Sequence, residues 1–200
     1  MARARREPNV PTLDQVRYVL DAMPTDSAVE RRNRALIAFT VVTTARVGAL
    51  VSFRLGHVNL DFGYVEQDAR TVRTKAAKSF RTIFMPFDAT AMTIVAEWVP
   101  ALRRDHMFGP DDPLFPATGM GLDANGAFVP VGLLRQGWGS TGPVREVFRN
   151  AFASAGLPYY NPAFAPVDDH PSRHDARPHA GGNEGAVAEP RAFRRTDHLH

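Results

Sequence analysis

Two hundred residues, 44% of them hydrophobic, suffice for one domain with a buried core. The formal charge of +3 and the pI near 9.7 give a mild basic excess, compatible with a nucleic-acid partner but not specific to one. The absence of cysteine excludes a disulfide framework and a thiolate metal site, and sets an intracellular, cytoplasmic location as the expectation. The basic start Met1-Ala2-Arg3-Ala4-Arg5-Arg6 runs into Glu7-Pro8-Asn9 rather than an apolar segment, which argues against a secretory signal. No apolar stretch approaches the roughly 18 residues of a membrane span, so no membrane partner is expected.

In chain order, residues 1–10 read as a flexible lead-in. Thr12 with Gln15 three positions on forms a capping box, and Leu13, Val16, Val19, Leu20 and Met23 recur at helical spacing until Pro24. A second helix is predicted over Ala28–Thr43. Its first half is charged (Glu30, Arg31, Arg32, Arg34) and its second half apolar (Leu36, Ile37, Ala38, Phe39, Val41, Val42), so it should start in solvent and end in the core. Arg46 follows beside Gly48, then a short helix through Ala49, Leu50, Val51 and Phe53, then a turn at Asn59–Gly63.

The period then changes to that of a small antiparallel sheet, with strands expected at 64–67, 71–75 and 81–86 and a turn at Ala76-Ala77-Lys78-Ser79. Asp88 is placed to cap a helix over about 89–103, with Met92, Val95, Ala96 and Val99 inward and Pro100 able to bend or end it. Residues 105–139 are rich in Gly and Pro and read as a long surface connection, tethered by Asp112-Pro113-Leu114-Phe115-Pro116. Ser140 or Thr141, Pro143 and Gly156 frame a last helix whose stripe is Val144, Val147, Phe148, Ala151, Phe152 and Ala155. After Pro162 no helical or strand period survives, and disorder is expected over 163–200. The fold class is therefore mainly α with a small three-stranded antiparallel sheet (α+β). Residues 11–162 form the domain.

Two stretches carry chemistry. Thr43-Thr44-Ala45-Arg46-Val47-Gly48-Ala49-Leu50 holds one arginine on a small-residue turn between two helices. About thirty positions later stands Lys75; of the 24 basic residues only Lys75 and Lys78 are lysine. Arginine-heavy coding has a bland source in base composition, yet two fixed cations at these places suit a phosphate.

Together with Leu55-Gly56-His57-Val58-Asn59-Leu60, Thr74-Lys75-Ala76-Ala77-Lys78-Ser79, Asp112-Pro113-Leu114-Phe115-Pro116 and Gly156-Leu157-Pro158-Tyr159-Tyr160-Asn161-Pro162, this pattern resembles the catalytic domain of tyrosine recombinases, the phage-integrase family. The resemblance covers roughly residues 8–162. It implies site-specific DNA recombination or integration, in which a tyrosine hydroxyl attacks a phosphodiester to leave a 3′-phosphotyrosine link and a free 5′-hydroxyl. Donors aimed at the crowded, more negative transition state are worth about 3 kcal/mol each.

By this resemblance Arg46 is the first catalytic arginine, holding two phosphate oxygens with its planar fork. Lys75 is the hairpin lysine that protonates the departing oxygen. Lys78 is its rival, or a further DNA contact. Double-stranded DNA and other recombinase protomers on it are the implied partners, with no small-molecule substrate, no metal and no cofactor. Other roles stay open: Arg46 capping carbonyls at a helix end, Lys75 as a solvated strand residue, His57 as a surface or capping histidine. The acidic residue that the family often carries just after its arginine is replaced here by Val47 and Ala49.

Three family elements belong after Pro162: an H-x-x-R box, a later His or Trp, and the nucleophilic tyrosine. His170-Pro171-Ser172-Arg173 matches the box literally, but Pro171 and Pro178 stand where an apolar helix is required. No tyrosine follows Tyr160. Residues 163–169 can be encoded so that a frame shifted by one base reads H-S-L-R-S-T. Residues 188–199 can be encoded so that the same shift reads P-N-L-G-H-S-E-E-L-T-T-F, which looks like the family segment before its tyrosine. The tail thus reads as out of frame, and the chain as a recombinase domain without its nucleophile. A non-catalytic DNA-binding remnant is the alternative. A metal site built from His170, His174, His179, His198 and His200 lacks any fixed spacing.

Overall fold

The computed structural model describes residues 10–74 and 78–162; Lys75, the lead-in and the 163–200 tail lie outside them. The first helix, α1 (Leu13–Ala22), opens on the predicted capping box, in which Thr12 Oγ1 accepts from Gln15 N–H while Gln15 Oε1 accepts from Thr12 N–H. Ser27 and Glu30 repeat the device at α2 (Ala28–Thr43). From Ala35 to Thr43 every residue of α2 is buried. Phe39 is the hub, with the rings of Phe53 and Phe115 at 5.5 Å and Phe84 at 6.0 Å, all edge-on.

One residue of the charged half departs from the expectation of a solvated start. Arg32 is buried, beneath the hairpin described below.

A short helix α3 (Val47–Leu50) and a single 3₁₀ turn at Leu55–His57 lead into β1 (Val58–Asn59), β2 (Tyr64–Gln67) and β3 (Phe80–Ile83). The sheet has three antiparallel strands in the order β1-β2-β3, with Tyr64 opposite Ile83 and Gln67 opposite Phe80. The expected strand at 71–75 is corrected over its described part: Val58–Asn59 supplies the third strand instead. The reason is local. Asp68 accepts the Arg70 N–H on its side chain and the Thr71 and Val72 N–H groups on its carbonyl, winding the segment into a turn, and Val72 enters the core.

Asp88 caps α4 (Ala89–His106) as predicted, accepting from Ala91 N–H. Pro100 faces solvent and the helix runs through it. The buried face is Ala91, Ile94, Val95, Trp98, Val99 and Leu102, so Ala96 of the predicted stripe is exposed. The tether at 112–116 is present: Leu55 N–H donates to Asp112 O, Leu114 N–H to Phe53 O, and Trp98 Nε1–H to Leu114 O. Gly56 permits it, because a Cβ there would stand 3.0 Å from Pro110 O.

The largest correction concerns 105–139. Instead of an irregular connection, β4 (Pro116–Leu122) and β5 (Phe128–Gly137) form a two-stranded antiparallel hairpin. The final helix, α5 (Gly142–Ser154), buries Val144, Phe148, Ala151 and Phe152 and ends before Gly156 at φ 70°. All these elements belong to one compact unit. Among the described residues no helix is long and apolar enough to cross a membrane.

Candidate phosphate-binding site

The path from α2 to α3 is what presents Arg46. Thr43 Oγ1 donates to Phe39 O at 2.6 Å and accepts from Ala45 N–H at 3.2 Å, closing the helix end without a glycine. Thr44 then adopts the left-handed conformation, φ 49° and ψ 28°. For a β-branched residue this costs on the order of 1 kcal/mol and persists only where the surroundings enforce it. The chain leaves this corner extended at Arg46, whose carbonyl accepts the Ala49 and Leu50 N–H groups of α3. The Arg46 side chain is exposed and has no hydrogen-bond or carboxylate partner among the described residues. The side-chain role of tying up carbonyls at a helix end is therefore not what the geometry shows.

Arg46 lines a cavity of about 230 Å³ together with Thr43, Thr44, Gln67, Arg73, Thr74 and Thr82. A water occupies about 30 Å³ in the liquid, so there is space for a phosphodiester group with part of its hydration. Arg73 is the residue that sequence reasoning missed. Its backbone N–H donates to Ser52 Oγ at 2.9 Å, and Ser52 Oγ itself donates to the Gly48 and Ala49 carbonyls, so the 71–74 segment is tied to α3. Among the described residues the Arg73 guanidinium donates to Gly139 O, at 3.4 Å, and meets no carboxylate. The Thr74 hydroxyl is buried without a partner among the described residues. The only signal for Arg73 in the sequence was its place two residues before Lys75.

Neighbouring cations are spoken for. Arg70 is held by Asp68, whose carboxyl the Arg70 hydrogen bonds bring down to about 2; Arg81 pairs with Glu66, and Arg54 with Asp111. Lys78 is exposed on the approach to β3 and has no partner among the described residues. Lys75, His170 and Arg173 lie outside those residues. His57 caps: its Nδ1 accepts from Arg54 N–H at 3.0 Å, which leaves the proton on Nε2 to be donated to Thr71 Oγ1 at 3.1 Å. Burial first, and the Arg54 charge second, push the His57 pKa down. Tyr160 is buried against Phe152 with its hydroxyl on Gln15, and Tyr159 lies under the Arg149 guanidinium.

No family model and no curated protein sequence matches the chain. Solved structures do. The chain is similar to the crystal structure of XerA recombinase at 17% identity and a TM-score of 0.53, over 80% of this chain and 47% of that one. It is also similar to a lambda integrase dimer bound to a COC′ core site, at 17% identity and a TM-score of 0.50, over 80% of this chain and 48% of that one. The fold is that of the tyrosine-recombinase catalytic domain. The chain spans about half the length of the structures it matches.

Proposed function

We propose that this chain grips DNA phosphates as part of a tyrosine-recombinase catalytic domain, a fold whose family function is site-specific recombination or integration by strand breaking and rejoining. The observation that carries the reading is the pair Arg46 and Arg73 on one cavity, neither compensated by a carboxylate among the described residues, with threonine hydroxyls around them. A phosphodiester offers two non-bridging oxygens and one negative charge, which a guanidinium fork meets with two parallel N–H donors. Lys75 follows Thr74 directly in sequence, and in this reading supplies the acid for the departing 5′-oxygen; Lys78 adds a backbone contact. Duplex DNA is the partner, and further recombinase protomers share it. No metal or cofactor enters this chemistry.

Strand cleavage needs a nucleophile, and the tyrosines argue for the non-catalytic alternative within this polypeptide. Tyr160 is buried with its hydroxyl engaged, and Tyr159 is stacked under Arg149. His170 and Arg173 are not assigned a role, since residues 163–200 read as an out-of-frame tail. Sequencing the locus checks this: an H-x-x-R box should stand in the shifted frame just after the codon for Pro162.

The test of function is incubation of the purified chain with a nicked suicide duplex. The expected outcome is salt-dependent binding without a covalent protein–DNA adduct. An adduct would overturn the reading that cleavage is lost. Binding indifferent both to salt and to Arg46→Ala would overturn the phosphate site itself.

A further inference from the structure

Arg73 lines a second cavity besides the one it shares with Arg46. This one measures about 390 Å³. Its described lining brings Arg73 together with Arg54, just before the 3₁₀ turn, and Arg135, near the end of β5. Three guanidinium groups from segments far apart in sequence thus meet one lining carboxylate, Asp111. Asp112 stands behind Arg135 and accepts from it at 3.3 Å. Three positive charges against two negative leave the group at net +1 among the described residues.

The cations are held differently. Arg135 is anchored: its guanidinium also donates to Met107 O at 2.7 Å and lies 5.3 Å from the Phe108 ring. Among the described residues Arg54 is held through its guanidinium by Asp111 alone, in one bond at 3.2 Å, with the two side chains 45% and 92% exposed. An exposed pair of this kind contributes little to stability and is screened by salt. A guanidinium carries five N–H donors, so most of those on Arg54 and Arg73 are left for another acceptor.

An anion gains most from such a place. The cavity has room for a phosphate group and several waters, at about 30 Å³ per water. Guanidinium forks meet phosphate oxygens with paired N–H donors, whereas a neutral apolar ligand would cover those donors without satisfying them. Asp111 is an internal rival, because its carboxylate accepts from the same Arg54 group that a phosphate would use.

We propose, building on the DNA-binding reading, that this cavity seats a second phosphate of the duplex whose first phosphate lies at Arg46 and Arg73, and that Asp111 is the carboxylate the DNA displaces. Arg73, lining both cavities, makes them neighbours, and the track runs from the α2–α3 corner to the end of β5. Phosphate contacts fix the register of a duplex without reading its sequence. The seat therefore sets how the strand lies relative to Arg46.

The test is binding of a short duplex to the full chain, followed by fluorescence anisotropy over a series of salt concentrations. Arg54→Gln should weaken binding about fivefold and reduce the salt slope by about one. Asp111→Asn should tighten binding about threefold, and the gain should vanish in the Arg54→Gln chain, since removing Asp111 helps by freeing Arg54. Both side chains are exposed, so neither change should move the thermal midpoint. A gain that survives in Arg54→Gln marks a general charge effect and overturns the seat, as does Arg54→Gln binding like the native chain. If Arg46→Ala still weakens binding in that case, the second seat fails and the first stands. If neither substitution has an effect, the phosphate reading fails with it. Inorganic phosphate without DNA separates the sources. A rise in thermal midpoint at matched ionic strength that Arg54→Gln abolishes, with duplex affinity unchanged by that substitution, makes the seat one for free anions and overturns its assignment to DNA.

Discussion

Arg32 and Arg46 sit at opposite ends of one helix's influence and show what a fold does with a guanidinium. Arg32 is buried on α2, donating to Pro116 O at 2.5 Å, to Thr118 Oγ1 at 3.1 Å, and twice to Asn33 Oδ1, with Trp138 4.7 Å from its face. Burial without a carboxylate brings its pKa down to about 10, still leaving it charged at neutral pH. It clamps the first residues of β4 and the residue just after β5 onto the helix. Arg46, past the end of the same helix, has no such partners and faces solvent beside a cavity. A cation whose donors are satisfied inside the chain holds structure. One whose donors remain free beside an uncompensated neighbour is available to an anion.

Substitution separates the two. Arg32→Met should show the largest effect, a loss of about 3 kcal/mol from three acceptors left without their donor and the lost clamp, read as a drop of several degrees in the thermal midpoint. Arg46→Ala should leave stability within about 0.5 kcal/mol. It should weaken DNA binding about tenfold and reduce the salt slope by about one. If Arg46→Ala unfolds the protein while Arg32→Met does not, the assignment of roles is reversed. Arg73→Ala should weaken binding by a smaller factor, about threefold, because Gly139 O competes for its guanidinium; measured beside Arg46→Ala, it tells whether the cavity uses one fork or two.

The smallest effect is on pH. His57 has a depressed pKa in the folded state, so the unfolded chain binds its proton more readily. Its contribution is present above the ordinary value of 6.5 and is lost as the pH falls through the lowered folded pKa. Protonation also removes the Nδ1 acceptor of Arg54 N–H. Thermal midpoints measured between pH 7.5 and 5 should fall more steeply for the native chain than for His57→Gln; parallel curves would remove His57 from this account.

Local signals announced the helices. The capping box at Thr12, the Asp88 cap, Pro143 and Gly156 are chemistry between near neighbours, which a linear reading captures; the equally local box at Ser27 and Glu30 emerged only in the structure. The hairpin at 116–137 was hidden because its glycines and prolines mimic a loop. The usable signal was Asp123-Ala124-Asn125-Gly126, where Gly126 takes φ 78° in the turn. Over its described part, the strand expected at 71–75 does not form because the Asp68 carbonyl takes the Thr71 and Val72 N–H groups, in a turn that its carboxylate supports from the Arg70 N–H.

What the sequence determined by itself was the order of the helices, the apolar second half of α2 and the placing of Arg46 just past its end, since each depends on neighbours along the chain. Only the tertiary structure decided which arginine is which. Arg32 on α2 and Arg46 just past its end are the same residue type, and nothing local tells that residues more than eighty positions away will close over one of them. Nor does anything local tell that Ser52 will hold Arg73 beside the other. Burial and partnership arise from contacts distant in sequence, and there the role of a charge is set.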